Sequence, residues 1–182
     1  MKKMFALGLL AALSLSTLPA LAELKAGAIA PDFTTQASFA GKEFTYKMAE
    51  QRKQGPVVLY FYPAAFTQGC TIEAHMFAEA VDAYKAMGAT VVGVSNDKIE
   101  TLNKFSVSEC SSKFAVAADT DKAIMKAYDS VMLKVSNYAS RTSYVISPAG
   151  RVIYAFSDSD PAMHVANTMA ALRSWSAANK AK

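Results

Sequence analysis

The chain has 182 residues, with 19 lysines and arginines against 15 aspartates and glutamates, a formal charge of +4. The charges are scattered and no basic run is interleaved with aromatics, so nucleic acid is not an indicated partner. Two histidines, His75 and His164, and two cysteines, Cys70 and Cys110, are too few to suggest a Cys/His metal cluster.

Residues 1–22 read MKKMFALGLLAALSLSTLPALA. Two lysines, an apolar run and a small-x-small end at Ala20-Leu21-Ala22 make the pattern of a secretory signal peptide. An uncleaved membrane anchor is the alternative, and Ser14, Ser16, Thr17 and Pro19 interrupt the run that it would need. The leader has no cysteine to carry a lipid. The expectation is a soluble protein of the bacterial periplasm, without stable membrane association. Losing Lys2 and Lys3 with the leader lowers the net charge from +4 to +2. Residues 23–182 are then one domain's length, enough to bury a core without disulfide staples.

GAIAPDFTTQASFAGKEFTY predicts an extended start and a hairpin, with Gly41 at the turn. KMAEQRKQG is polar with a helical tint, closed by Gly55 and Pro56. PVVLYFY is a continuous apolar run rich in β-formers, the pattern of a strand buried on both faces. Ile72, Met76, Phe77, Val81 and Tyr84 fall at helical spacing, with Gly88 as the stop. ATVVGVS predicts a second buried strand. Asp97 and Glu100 resemble a capping box for a helix near 99–109. KFAVAAD predicts a strand, DKAIMKAYD a short helix, TSYVIS a strand, Pro148-Ala149-Gly150 a turn and RVIYAFS its hairpin partner. A last helix is expected over about 161–178, followed by a frayed alanine and lysine tail. Buried strands alternating with helices and closed by a late hairpin predict a mixed α/β sandwich around a central sheet.

Cys70 stands just past the carboxyl end of a buried strand, where functional loops of open α/β sheets collect. Thr67 is a plausible N-cap, which makes Cys70 the N3 residue of the following helix. Free N–H groups and the positive end of the helix dipole favour a thiolate there. In such settings thiols fall from about 8.5 to between roughly 3.5 and 7.5. An even cysteine count in an oxidising compartment also allows a structural Cys70–Cys110 bridge. The spacing fits neither a zinc site nor a CxxC pair. His75, five positions on, lies about 140° round the helix from Cys70 and does not share its face. His164 and Trp175 read as ordinary packing or surface.

Pro63-Ala64-Ala65-Phe66-Thr67-Gln68-Gly69-Cys70 matches the PxxxTxxC motif of the peroxiredoxins, with FY before it and Thr71 and Glu73 after it. APDF, VVGVSND, FAVAAD and RTSYVISPAGRVIY follow in that family's order. The chain therefore resembles the AhpC/TSA peroxiredoxins over nearly all of residues 23–182, most of all the bacterioferritin-comigratory, PrxQ-like branch. The resemblance implies a thioredoxin-like sandwich with a central mixed sheet. It also implies a thiol peroxidase that needs no metal or organic cofactor and reduces hydrogen peroxide and organic hydroperoxides. Cys70 would be the nucleophile that becomes a sulfenic acid. Thr67 would hydrogen-bond the peroxide, and Pro63, having no N–H, would pack over the sulfur. Arg141, before TSYVI, would stabilise the thiolate and the developing oxyanion, whereas Arg151 and Arg173 read as solvated charges. Glu73 reads as a structural hydrogen-bonding partner rather than a proton carrier.

Where some relatives place a resolving cysteine, five residues after the first, this chain has His75. Cys110 is the other candidate for resolving Cys70, offset toward the end of its helix. The resulting disulfide would be reduced by a thioredoxin-like partner. The alternative is a one-cysteine cycle completed by an external thiol. PrxQ-like relatives imply a monomer or weak homodimer. Two other functions are weighed. A thiol–disulfide oxidoreductase needs CxxC, and Thr67 occupies its first position. A stapled binding domain accounts for two cysteines but not for PxxxTxxC or Arg141.

Overall fold

Val57–Phe61 forms β3, with every residue buried. Its alternation divides the core: Val58 and Tyr60 enter one apolar cluster, Val57, Leu59 and Phe61 the other, as a period of two dictates. This computed structural model describes residues 23–180 except Val135. The leader expected at 1–22 lies outside the described residues.

Before β3 come the hairpin strands β1 (Thr34–Phe39) and β2 (Lys42–Lys47) and the helix α1 (Met48–Gln54). After it come α2 (Gln68–Ala86), β4 (Thr90–Ser95), α3 (Ile99–Ser108), β5 (Ala115–Ala118) and α4 (Ala123–Ala127). A 3₁₀ turn at Met132–Lys134 precedes β6 (Thr142–Ile146), β7 (Val152–Ser157) and α5 (Ala162–Lys180). The strands form one sheet in the order β2-β1-β5-β4-β3-β6-β7. β3, β4 and β5 run parallel, while β6 lies antiparallel to β3 and pairs Thr142 with Phe61.

Helices α2, α3 and α5 contribute Phe77, Phe105 and Leu172 to the cluster on one face. Met48 of α1 and Ile124 and Met125 of α4 enter the other. The result is the expected mixed α/β sandwich with a central sheet. At its centre Tyr60 stacks on Phe77 at 4.4 Å, over Gly93, where a Cβ would meet the tyrosine ring at 2.7 Å.

Two details differ from the sequence reading. Asp97 does not cap α3: its N-cap is Lys98, with no side-chain cap, and Asp97 turns toward the loop before α2. The last helix runs on to Lys180, through residues expected to fray.

Candidate active site

Between β3 and α2 the chain makes a tight loop through Pro63 and Phe66. Phe66 holds φ at +64°, a strained conformation for a residue with a Cβ. Its ring packs edge-on against Phe105 of α3 at 5.2 Å, and Phe105 stacks on Tyr62 at 5.5 Å. The Ala65 N–H donates to the Asp97 carboxylate at 2.7 Å, and the Ser95 hydroxyl donates to the same oxygen at 2.8 Å. Asp97 therefore ties the loop to the end of β4.

Thr67 occupies the N-cap of α2 in extended conformation, but its hydroxyl does not cap the helix. It donates instead to the Ala64 carbonyl at 3.0 Å, leaving its oxygen lone pairs to accept a hydrogen bond. The first helical bond runs from the Thr71 N–H to the Thr67 carbonyl at 2.9 Å. The N–H groups of Gln68, Gly69 and Cys70 precede it, at the positive end of the dipole. Cys70 is buried at 1% exposure.

Pairing of Thr142 with Phe61 brings Arg141 beside the carboxyl end of β3. Its guanidinium uses three edges. Nη2 faces the Cys70 sulfur at 3.7 Å, Nη1 donates to Glu73, and Nε donates to the Ser159 carbonyl at 3.1 Å. A Cβ on Gly69 would lie 2.9 Å from Nη2, so the glycine makes room for the guanidinium. Burial opposes the charge of Arg141, but Glu73 and Cys70 outweigh it and hold its pKa above the ordinary value. Glu73, one turn beyond Cys70, is fully buried. Burial pushes its carboxyl up to about 8 against the pull of Arg141.

Pro63, Met132, Ser140 and Arg141 face Asp158 and Ser159 across an open groove of about 370 Å³. That groove gives a small molecule a path to the guanidinium. Pro63, Thr67, Cys70 and Arg141 thus come together at one end of the sheet.

Cys110 stands apart from this constellation. It follows the end of α3, completely buried in the apolar cluster that also holds Cys70. Burial, with a smaller contribution from Glu109, pushes its thiol well above the ordinary range. Both cysteines are free thiols, so no constitutive staple joins them in this structure. Ser111 and Ser112, next to Cys110, both hold positive φ, at 50° and 57°. His75 points away from the sulfur, its Nε2 3.0 Å from Glu109. The sequence left His164 as packing or surface, and the structure makes it packing: it is wholly buried, with Nδ1 2.8 Å from the Ser143 hydroxyl and 3.8 Å from Glu73. An isolated histidine in an amphipathic helix gives no signal of such a place. Asp97 and Gly69 were equally illegible as parts of the site.

The model of the AhpC/TSA family matches residues 26–155. A putative peroxiredoxin bcp of Helicobacter pylori strain J99 is 36% identical over 133 residues, 70% of this chain and 84% of its own length. Peroxiredoxin Bcp of Escherichia coli K12 is 32% identical over 146 residues, covering 78% of this chain and 90% of its own. Among solved structures, the peroxidoxin BcpB of Mycobacterium tuberculosis superposes with a TM-score of 0.75 at 25% identity, covering 83% of this chain and 97% of that one. These likenesses accord with the thioredoxin-like peroxiredoxin fold that the sequence predicts.

Proposed function

Because the chain belongs to the AhpC/TSA family, we propose that it is a thiol-dependent peroxidase acting on hydrogen peroxide and organic hydroperoxides. The observation that carries this reading is the Arg141 guanidinium 3.7 Å from the Cys70 sulfur at the N-terminus of a helix. A fixed cation and free N–H groups favour the thiolate. They also stand ready for the charge that develops on a departing oxygen.

In the reaction the Cys70 thiolate attacks one peroxide oxygen. An S–O bond forms as the O–O bond breaks, the sulfur losing two electrons and becoming sulfenic acid. The leaving oxygen departs as an alkoxide or hydroxide and takes a proton to become an alcohol or water. Thr67 accepts a hydrogen bond from the peroxide, and Pro63 shields the sulfur from bulkier groups.

Cys110 then attacks the sulfenic acid sulfur, forming a Cys70–Cys110 disulfide and expelling water. A thioredoxin-like dithiol reduces the bond. The supporting observations are two free cysteines and a strained turn beside Cys110. A disulfide needs Cα atoms within about 7 Å, and in this reading the first turn of α2 around Cys70 unwinds to let the two sulfurs meet. The leader-like segment at 1–22 supports a periplasmic site of action.

Oxidising the reduced protein with one equivalent of peroxide and mapping the products by mass spectrometry tests both steps. A Cys70–Cys110 disulfide is expected. Sulfenic acid or mixed disulfide on Cys70 alone would replace resolution by Cys110 with the one-cysteine cycle. Unmodified Cys70 would overturn the peroxidase reading.

A further inference from the structure

At the opposite end of the sheet from Cys70 lies a hollow of about 220 Å³. Thr90, which opens β4, and Ala115, which opens β5, stand in its wall, so it sits at the amino ends of the parallel strands. Helix α2 spans the two places, with Cys70 in its first turn and Lys85 in its last. At about 1.5 Å per residue, positions 70 and 85 are about 22 Å apart along the helix.

The register of the first hairpin builds one wall. Ala37 of β1 pairs with Phe44 of β2, and a period of two puts Phe39, Phe44 and Tyr46 on the same face. Val91, Phe114 and Val81 of α2 close the hollow from the other side. Ala89 and Ala115 also border it, and their methyl groups do not fill the space between the rings. Phe39 and Phe44 remain 44% and 37% exposed, so aromatic surface that folding leaves in water stands at this place.

The charge of the hollow is one-sided. Lys85 and Lys113 border it, both exposed, and no acidic residue does so among the described residues. Neither lysine has a salt bridge among the described residues. Apolar walls with uncompensated cations at the solvent edge suit a molecule with an apolar body and a negative head. A cavity of about 150 Å³ takes benzene, so this one has room for a ring and a short chain.

We propose that the hollow is a binding site for a small amphiphilic carboxylate, its apolar body one aromatic ring or a chain of about eight carbons. The inference goes beyond the peroxidase reading and does not depend on it. A ligand of that length cannot reach a sulfur about 22 Å away, so the occupant is not the peroxide substrate.

Titrating 4-phenylbutanoate into the reduced, ¹⁵N-labelled protein tests the site. Saturable shifts are expected at the Gly88, Val91 and Ala115 amides, with a Kd below about 1 mM. 4-Phenylbutan-1-ol, the same body without the charge, should bind about tenfold more weakly. In the double variant Lys85→Gln, Lys113→Gln that preference should vanish while the alcohol keeps its affinity, which also shows the hollow intact. No saturable shift at these amides, equal binding of acid and alcohol to wild type, or a preference for the acid that survives loss of both lysines would each overturn the proposal. Shifts centred on Cys70 and Arg141 would overturn it too, placing the acid in the site already described. No peroxide enters the titration, so failure here is distinguishable from failure of the peroxidase reading.

Discussion

Arg141 and Cys70, 71 positions apart in sequence, are held 3.7 Å apart through Nη2 and Sγ. The antiparallel register of β6 on β3 sets one side of that contact, and the first turn of α2 sets the other. Replacing Arg141 by Gln should lower the rate of peroxide reduction by about 10²- to 10³-fold, the usual cost of losing a positioned donor to developing charge. Arg141→Lys keeps a charge but loses the three-edged fork, and its rate should fall between the two. Stopped-flow oxidation measures both, and a Gln variant as fast as wild type would remove Arg141 from the mechanism.

Gly69 offers a way to move the guanidinium without changing it. A methyl there would lie 2.9 Å from Nη2, so Arg141 must shift away from the sulfur. In a helix Ala is favoured over Gly by up to about 1 kcal/mol, while misplacing a reacting group by about 1 Å can cost about 10²-fold. Gly69→Ala should therefore unfold at an equal or higher temperature and yet react more slowly. Unchanged peroxide kinetics would show that this Arg141 position is not needed.

Asp97 holds the loop before Cys70 through the Ala65 N–H. Asp97→Ala leaves that donor and the Ser95 hydroxyl without their acceptor, at a cost of about 1–3 kcal/mol. Denaturant unfolding should show the loss, and hydrogen exchange at Ala65 should speed up. Unchanged exchange at Ala65 would contradict the tether.

Much of the architecture was legible because the patterns are local. PVVLYFY reads as a doubly buried strand, and all five residues of β3 lack solvent contact, while Gly41 marks the β1–β2 hairpin with a φ of +76°. PxxxTxxC located the loop and the helix start. The roles of Asp97, Gly69 and His164 depend on neighbours 32 to 91 positions away in the chain, Asp97 against Ala65, Gly69 against Arg141 and His164 against Glu73. Local spacing cannot show such pairs. Asp97 was misread for a physical reason: Asp97-x-x-Glu100 satisfies a capping pattern, but a free amide in the Cys70 loop competes for the same carboxylate.

Glu73 makes stability depend on pH. Its carboxyl sits at about 8 in the folded chain against an ordinary 4.5. Below 4.5 both folded and unfolded chains hold the proton, and the group costs nothing. Between 4.5 and 8 the unfolded chain releases a proton that the folded chain keeps, so stability falls as pH rises, and above 8 that loss is complete. Glu73→Gln has no such proton. Its Tm relative to wild type should climb steadily from pH 4.5 to pH 8, and a constant difference across that range would contradict the raised carboxyl.

The most direct test follows a single turnover of peroxide with reduced wild type, Cys70→Ser and Cys110→Ser. The account predicts that Cys70→Ser consumes none, while Cys110→Ser completes the first oxidation and stops at sulfenic acid. Peroxide consumption by Cys70→Ser at the wild-type rate, or none by wild type with two free thiols, would contradict it.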